Sequence, residues 1–187
     1  MRPLLASSAC FALGLAAAAP ARAADAPAPS STAPAPPRRT DAVQLDLGLA
    51  VVGLAYERLF DPRVALQVEA QIFGTWFGPL VDLPNLRGFG GQVRPTVFLT
   101  DDGPRGVYVA PFVRIDRVTA EEDGRSGHGV GFSTGAFVGY SFLLAERLNL
   151  RVGAGPQYMS YVVDVGRRRV AFQTMFPALD LVVGYVF

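Results

Sequence analysis

The sequence is poor in the residues that form covalent cross-links and metal sites. Its 187 residues include one cysteine, Cys10, and one histidine, His128. Cys10 lies in an N-terminal segment that we expect to be cleaved off, and the remaining chain can form neither a disulfide framework nor a thiolate metal site. Glu121, Glu122 and Asp123 precede His128, but adjacent acids more often form a solvated loop than a metal site. We therefore predict no metal and no cofactor.

The sequence also has no lysine: its 17 basic residues are all arginines, against 16 acidic residues. We interpret this preference as a composition bias of the genome. The arginines are scattered along the chain and interleaved with acids, whereas nucleic-acid-binding domains concentrate their basic residues in a patch. No nucleic-acid partner is predicted.

No apolar run is long enough to span a bilayer as a helix. Residues 4–19 carry no charge and are mostly alanine and leucine, but a membrane-spanning helix needs about 20 such residues. Arg2 precedes this run, and Ala21-Arg22-Ala23 follows it as a small-x-small cleavage site. The pattern predicts a secretory signal peptide over residues 1–23, cut after Ala23. A retained anchor, or lipoprotein processing at Cys10, fits less well because the run is short and most of it follows Cys10.

Residues 24–40 are dominated by alanine, proline and serine. Proline removes backbone donors and the small side chains can bury little area, so this segment is predicted to be a disordered, extended linker. The folded domain is then expected over residues 41–187.

Within residues 41–187 the dominant apolar period is two, and no stretch of ten residues favours a helix. In one segment an apolar stripe (Val64, Leu66, Val68, Ala70, Ile72) alternates with Ala65, Gln67, Glu69 and Gln71. Across the domain the second face is rich in glycine and amides and too poor in charge for a water-exposed surface. This pattern favours a transmembrane β-barrel with apolar residues facing lipid. A soluble secreted barrel that binds an apolar ligand is the alternative.

The spacing of the connections predicts the number of strands. Short turns are expected at residues 59–63, 100–106 and 143–147, and longer loops at 74–88, 120–129 and 163–169. Outer-membrane barrels have short periplasmic turns and long external loops, so both termini are expected in the periplasm. With both termini on one side of the membrane, the number of strands must be even. This requires a first hairpin that reverses near Gly48, between strands at 43–47 and 52–58. The fold class predicted is all-β, an eight-stranded antiparallel transmembrane β-barrel.

Aromatic residues cluster near both ends of the predicted strands, as in the interfacial girdles of membrane barrels. The short-turn end has Tyr56, Phe60, Phe98, Tyr140, Phe142, Tyr185 and Phe187, and the long-loop end has Phe73, Trp76, Phe77, Tyr158 and Tyr161.

The last strand ends at Phe187, with Leu181, Val183 and Tyr185 at the preceding alternate positions. With the leader and the alternation, this ending resembles the small outer-membrane β-barrels of Gram-negative bacteria, the OmpA/OmpX-like group. Tyr56-Glu57-Arg58 before a short turn is also similar to segments of such barrels. The resemblance implies that Leu181, Val183, Tyr185 and Phe187 form an assembly signal read by the barrel assembly machinery.

Charged residues on the inward face are expected to pair, because isolated charges in a low-dielectric lumen are costly. Glu69 is predicted to pair with Arg94, and Arg114 or Arg151 with Asp116 or Asp180. Asp46 and Glu57 belong to the same face. An eight-stranded interior is normally filled by side chains, so we predict a filled lumen. A small ion or solute channel is the alternative.

The predicted role is structural or in surface interactions, as a monomer and not as an enzyme. Arg167, Arg168 and Arg169 lie at a predicted external loop and could bind lipopolysaccharide phosphates, because arginine forms bidentate contacts with phosphate. His128, with Ser126 and Ser133, leaves open a lipid-modifying enzyme of the lipid A deacylase type. That alternative is weaker because we expect these residues in a glycine-rich loop without an orienting third group.

Overall fold

The computed structural model describes residues 40–76, 85–122, 125–165 and 168–187. The predicted leader and almost all of the predicted linker lie outside these ranges. Within them, no helix has the length and apolar character that a membrane span requires.

Eight strands form one closed antiparallel sheet in which every strand pairs with its neighbours in sequence and the last pairs with the first. The predicted eight-stranded barrel is therefore confirmed, including its short first hairpin. The strands are β1 (Asp41–Leu47), β2 (Val51–Asp61), β3 (Val64–Gly74), β4 (Leu86–Phe98), β5 (Gly106–Glu122), β6 (Arg125–Leu144), β7 (Leu148–Val165) and β8 (Arg168–Val186).

The strands are staggered around the barrel. If one starts at Leu45 on β1 and moves to the paired residue on each following strand, from β2 to β8, the path ends at Gln173. Across the closing β1–β8 pair, however, Leu45 lies opposite Val183. The shear is thus ten residues, the difference between positions 183 and 173. With strands about 4.8 Å apart and a rise of about 3.3 Å per residue, this shear tilts the strands by about 40° from the barrel axis.

Alternate side chains point outward and into the lumen, because successive residues of a strand face opposite sides of the sheet. The outward side chains are mostly apolar: Leu54, Ile72, Phe89 and Val130 each expose between 62% and 65% of their surface. The inward positions carry the buried glutamines and charged residues.

The strands differ in length, and two predicted loops are wrong. β5 continues to Glu122 and pairs with β6 up to Arg125, so most of residues 120–129 is strand rather than loop. Likewise β7 continues to Val165 and pairs with Arg168 of β8. The polar residues in these two segments favoured the prediction of loops. A strand that extends beyond the apolar band of the barrel can, however, carry polar residues on its outward face. Residues 77–84 of the third predicted loop lie outside the described ranges.

The ring is closed by a short ladder. β1 pairs with β8 from Ala42 to Asp46, opposite Val186 to Val182. Within the described residues, the part of β8 before Val182 pairs with β7 alone.

Four prolines stand in one outward row, on β4, β5, β7 and β8, with Ala136 of β6 between them: Pro95, Pro111, Pro156 and Pro177. Proline has no backbone N–H to donate to a ladder. The β4–β5 pairing is interrupted around Pro95 and Pro111, and the β6–β7 pairing is interrupted beside Pro156. The wall is therefore held by fewer backbone hydrogen bonds along this row.

Candidate functional site: the barrel lumen

The end of the lumen where β2 begins and β7 ends is filled by an apolar cluster. Phe73 and Tyr161 are fully buried and their rings stack with centroids 4.6 Å apart. Both were predicted to belong to an interfacial girdle. That prediction is wrong, because the alternation of side chains along β3 and β7 places Phe73 and Tyr161 on the inward face. The cluster also includes Val51, Leu86, Val118, Met159, Val163, Val165 and Phe172.

Glycines on the inward face provide the space for these aromatic rings. A Cβ at Gly131 would overlap the ring of Tyr161, and one at Gly139 or Gly153 would crowd the hydroxyl of Tyr108. Gly53 likewise leaves room for the carboxylate of Glu69. Large inward side chains of one strand thus lie over glycines of another, which lets a narrow barrel close around a filled interior.

Arg94 forms the centre of a polar layer in the middle of the lumen. Its Nη1 lies 2.6 Å from Asp180 Oδ1 and 3.4 Å from Asp46 Oδ2. Its Nε donates to Gln67 Oε1 over 3.1 Å, and Tyr108 donates its hydroxyl proton to the second oxygen of Asp180. Since Arg94 is 0% exposed, these contacts compensate a fully desolvated cation.

A second ion pair crosses the lumen between β2 and β7. Arg151 Nη1 and Nη2 each lie 2.5 Å from one carboxylate oxygen of Glu57, which is a bidentate geometry. The guanidinium also faces the rings of Phe98 and Tyr108, with its Cζ 5.4 Å and 5.8 Å from their centroids. Both partners are buried, so the loss of either one would leave an uncompensated charge in the lumen.

The predicted partners within the lumen are wrong in detail. Glu69 Oε2 accepts hydrogen bonds from Gln67 and Gln92 at 3.0 Å and 3.1 Å, instead of forming the expected ion pair with Arg94. Arg151 pairs with Glu57 rather than with Asp116 or Asp180. Register between neighbouring strands identifies residues that lie side by side, but these ion pairs join strands that face each other across the lumen.

The two remaining predicted lumen charges are held mainly by neutral groups. Asp116 accepts hydrogen bonds from Gln71 Nε2 and from the hydroxyl of Tyr161, both over 2.8 Å. Arg114 Nη2 donates to Gln92 Oε1 over 2.8 Å, and its guanidinium lies over the ring of Phe112. Sequence reasoning missed the glutamines and tyrosines of this network, although their inward parity could have indicated them.

A third layer closes the end of the lumen at the short turns. Phe112 and Phe137 stack with centroids 4.8 Å apart beside Phe98, Leu59 and Ala178. Phe98 too was wrongly predicted to face the membrane interface. The β4–β5 turn folds across this opening: the N–H of Gly103 donates to Pro62 O over 2.6 Å, and Asn149 Nδ2 donates to Pro104 O over 3.0 Å.

No protein-family model and no curated protein matches the sequence. Two solved structures resemble the fold. Neisserial surface protein A has a TM-score of 0.51 and 14% identity, with 78% of this chain and 95% of that chain covered. The N-terminal β-barrel domain of Pseudomonas aeruginosa OprF has a TM-score of 0.51 and 11% identity, with 79% and 95% covered. This chain has the fold of the eight-stranded outer-membrane β-barrels.

In this barrel, the residues of the predicted assembly signal all point outward from β8. Leu181, Val183, Tyr185 and Phe187 are exposed, and the N–H of Phe187 donates to Asp41 O over 2.8 Å. The four side chains therefore form one apolar stripe beside the closing ladder. Their role in assembly stays a prediction.

Of the residues proposed for a hydrolase, Ser126 and His128 lie on the outward face of β6, whereas Ser133 faces the lumen. His128 lies in β6 rather than in a loop, and its Nδ1 is 3.1 Å from Thr119 Oγ1 on the outward face. Ser133 is buried on the inward face, near the hydroxyl of Tyr161. The wall of the barrel thus separates Ser133 from His128. In the described part of the chain, no group of three or more potential metal ligands is present.

The three arginines predicted to bind lipopolysaccharide lie at the β7–β8 connection. Arg167 is outside the described residues, Arg168 begins β8, and Arg169 is exposed. Arg169 pairs in register with Asp164. A phosphate contact at these residues stays a prediction.

Proposed function

We propose that this protein is an integral outer-membrane barrel with a side-chain-filled lumen, and that its role is structural or in surface interactions rather than in transport. Its termini lie in the periplasm, the barrel assembly machinery inserts it, and it functions as a monomer in contact with outer-membrane lipids. The observation that carries the proposal is the combination of an apolar outer surface with a buried polar layer enclosed between two apolar clusters.

The outer surface supports residence in a membrane. Residues with outward parity form an apolar band around the ring, and a water-soluble protein rarely exposes apolar patches beyond a few hundred Å². Tyr140, Phe142 and Tyr185 are exposed near the short-turn end, and Trp76 is exposed near the opposite end. Amphipathic aromatic side chains at the two borders of an apolar band are typical of barrels that cross a bilayer.

Cell fractionation combined with a heat-shift gel tests this location. We expect the protein in the outer-membrane fraction, with faster migration before boiling than after it, because a folded barrel stays compact in detergent. Recovery in the soluble periplasm without detergent would overturn the proposal and favour a secreted barrel that binds an apolar ligand.

The lumen supports a closed barrel. Phe73 and Tyr161 block the outer end, the Arg94 and Arg151 ion pairs occupy the middle, and the β4–β5 turn covers the inner end. Purified protein in a planar bilayer is therefore expected to give no reproducible conductance steps. Regular single-channel steps at several voltages would contradict the filled lumen.

One observation favours a cation-selective channel as the second candidate. Among the residues whose burial the structure describes, the buried charged residues are five acids (Asp46, Glu57, Glu69, Asp116, Asp180) and three arginines (Arg94, Arg114, Arg151). Glu69 Oε1 and Gln71 Oε1 have no hydrogen-bond partner within the described residues. If conductance is observed, this excess of acids predicts that cations pass in preference to anions.

We propose no enzymatic activity. The wall separates Ser133 from His128, and the hydrogen-bond partner of the His128 ring is Thr119 rather than a carboxylate, which supports this view. Analysis of lipid A by mass spectrometry tests it: overexpression of the protein should leave the lipid A species unchanged. A new deacylated species that disappears with His128→Ala would overturn it.

A further inference from the structure

On β4 and β5 the outward face of the barrel changes from apolar to basic toward the long-loop end. Gly91, Ile115 and Phe132 are neighbours across β4, β5 and β6. The next outward row toward the long-loop end consists of Ile72, Phe89, Arg117 and Val130, and the row beyond it of Gly74, Arg87, Thr119 and His128. The sequence pattern does not reveal this arrangement, because Arg87 and Arg117 are distant in the chain.

The two arginines of this patch lie diagonally across a strand pair. Arg87 pairs with Thr119 and Phe89 pairs with Arg117, so Arg87 and Arg117 are diagonal neighbours, with Cβ atoms about 7 Å apart. Both side chains are exposed. Two guanidinium groups at this spacing repel each other, and an anion held between them would remove the repulsion and accept hydrogen bonds from both.

No carboxylate of the described residues takes this place. No ion pair joins Arg87 or Arg117 to an acid within those residues. The outward acids of the neighbourhood are Glu121, two residues beyond Thr119 on β5, and Asp164, which is opposite His128 on β7. Glu121 is a diagonal neighbour of Arg87 on the side away from Arg117, and Asp164 lies two strands from Thr119, so neither carboxylate lies between the arginines.

The surroundings indicate an amphipathic ligand. A cavity of about 350 Å³ adjoins Arg87 and is lined by Ile72, Phe73, Trp76 and Leu86 among others. Trp76 is half exposed, and its indole N–H donates to Leu49 O over 2.5 Å, which fixes the ring at this border. Below the arginines, Phe89 and Ile115 expose 65% and 59% of their surface. Cationic groups thus stand directly above an apolar surface.

We propose that Arg87 and Arg117 bind the phosphate of a phosphorylated lipid in the outer leaflet, and that the acyl chains of this lipid lie on Ile72, Phe89 and Ile115. Thr119 and His128 border the phosphate and offer further hydrogen-bonding groups. Arginine suits this role because its planar guanidinium donates two parallel hydrogen bonds to phosphate oxygens. The inference rests on the proposed outer-membrane location, and it names one lipid site on the surface of the barrel.

The experiment uses the protein's single tryptophan, Trp76, as the reporter. Protein extracted from membranes in detergent is titrated with diphosphorylated lipid A, with the same lipid after removal of its phosphates, and with inorganic phosphate. We expect a saturable change in Trp76 emission with the phosphorylated lipid, and an apparent Kd at least tenfold higher in the Arg87→Gln/Arg117→Gln variant. The Arg87→Lys/Arg117→Lys variant should retain part of the affinity, because it keeps the charge.

Arg58→Gln/Arg63→Gln is the matched control, since it removes two exposed arginines at the opposite end of the barrel. Its Kd should equal that of the unmodified protein, and every variant is first checked for heat-modifiable migration. Equal affinity of the Arg87→Gln/Arg117→Gln variant, or equal binding of the phosphate-free lipid, would overturn the site. If inorganic phosphate saturates the signal at the same concentration as the lipid, the site binds free anions, and the proposal of a lipid ligand is overturned. If the protein is instead recovered as a soluble periplasmic protein, the proposed function itself fails.

Discussion

Removing one partner of the buried ion pair between Arg151 and Glu57 should destabilise the barrel strongly, and this expectation tests the description of the lumen. Replacing Arg151 by methionine keeps an unbranched apolar side chain against Phe98 and Tyr108 but leaves the Glu57 carboxylate buried without its cation. Removing one partner of a buried pair destabilises by about 3–5 kcal/mol. We expect Arg151→Met to lower the free energy of unfolding by that amount.

Substitution of Glu57, alone and together with Arg151, separates the energy of the ion pair from other effects of each substitution. Glu57→Gln alone should also destabilise, because it strands a buried guanidinium. The Glu57→Gln/Arg151→Met double variant leaves no buried charge at this position, and replacing a buried pair by uncharged groups is often close to neutral. It should therefore be more stable than either single variant, with a coupling energy of at least about 2 kcal/mol.

The measurement is urea-induced unfolding of the barrel in lipid vesicles, followed by Trp76 emission and checked by the heat-shift gel. Arg105→Met is the control, since Arg105 is mostly exposed and its Nη2 lies 3.8 Å from Asp101 Oδ1. A surface pair of this kind contributes less than about 1 kcal/mol. Strictly additive effects of the two lumen substitutions, or a loss no larger than that of the control, would refute a desolvated ion pair between β2 and β7.

Three further substitutions test other parts of the barrel. Gly131→Leu forces a side chain into the ring of Tyr161 and should lower the unfolding free energy by about 1–3 kcal/mol in the urea assay; unchanged stability would mean that the ring lies elsewhere. Phe187→Ala should reduce the heat-modifiable fraction in the outer membrane, whereas Phe60→Ala, which removes another outward phenylalanine, should not; equal insertion of the two variants would count against an assembly signal. Leu54→Arg places a cation on the apolar band and should destabilise the barrel in vesicles by about 2–4 kcal/mol; a neutral result would argue that Leu54 does not face lipid.

The strand count and the faces of the strands could be predicted because they depend on local pattern. The side-chain period of a strand is two, so the apolar stripe through Val64, Val68 and Ile72 also assigned Glu69 to the lumen. The alternation of short turns and long loops required an even number of strands, and therefore the short first hairpin near Gly48. These inferences need no knowledge of which strands face each other.

The contacts inside the lumen could not be predicted for the same reason. Arg94 and Asp180 are on β4 and β8, and their distance depends on barrel radius, shear and the space left by glycines on other strands. The sequence pattern also cannot tell an interfacial aromatic from an inward one near a strand end, unless parity is counted as far as the end. Phe73, Phe98 and Tyr161 lie near strand ends but at inward positions, so their distance from the turns alone wrongly predicts an interfacial location.

The short ladder between β1 and β8 has a consequence for how the barrel closes and opens. In the described residues, β8 pairs with β7 over the whole of Leu148 to Val165, but with β1 only from Ala42 to Asp46, extended by the hydrogen bond from the Phe187 N–H to Asp41 O. Pairing of the later hairpins is local in sequence, whereas closure joins the two ends of the domain and orders a long loop for few hydrogen bonds. The amide protons of β1 should therefore exchange with solvent before those of β6 and β7, and the seam beside Phe187 should be the last part of the wall to form and the first to separate.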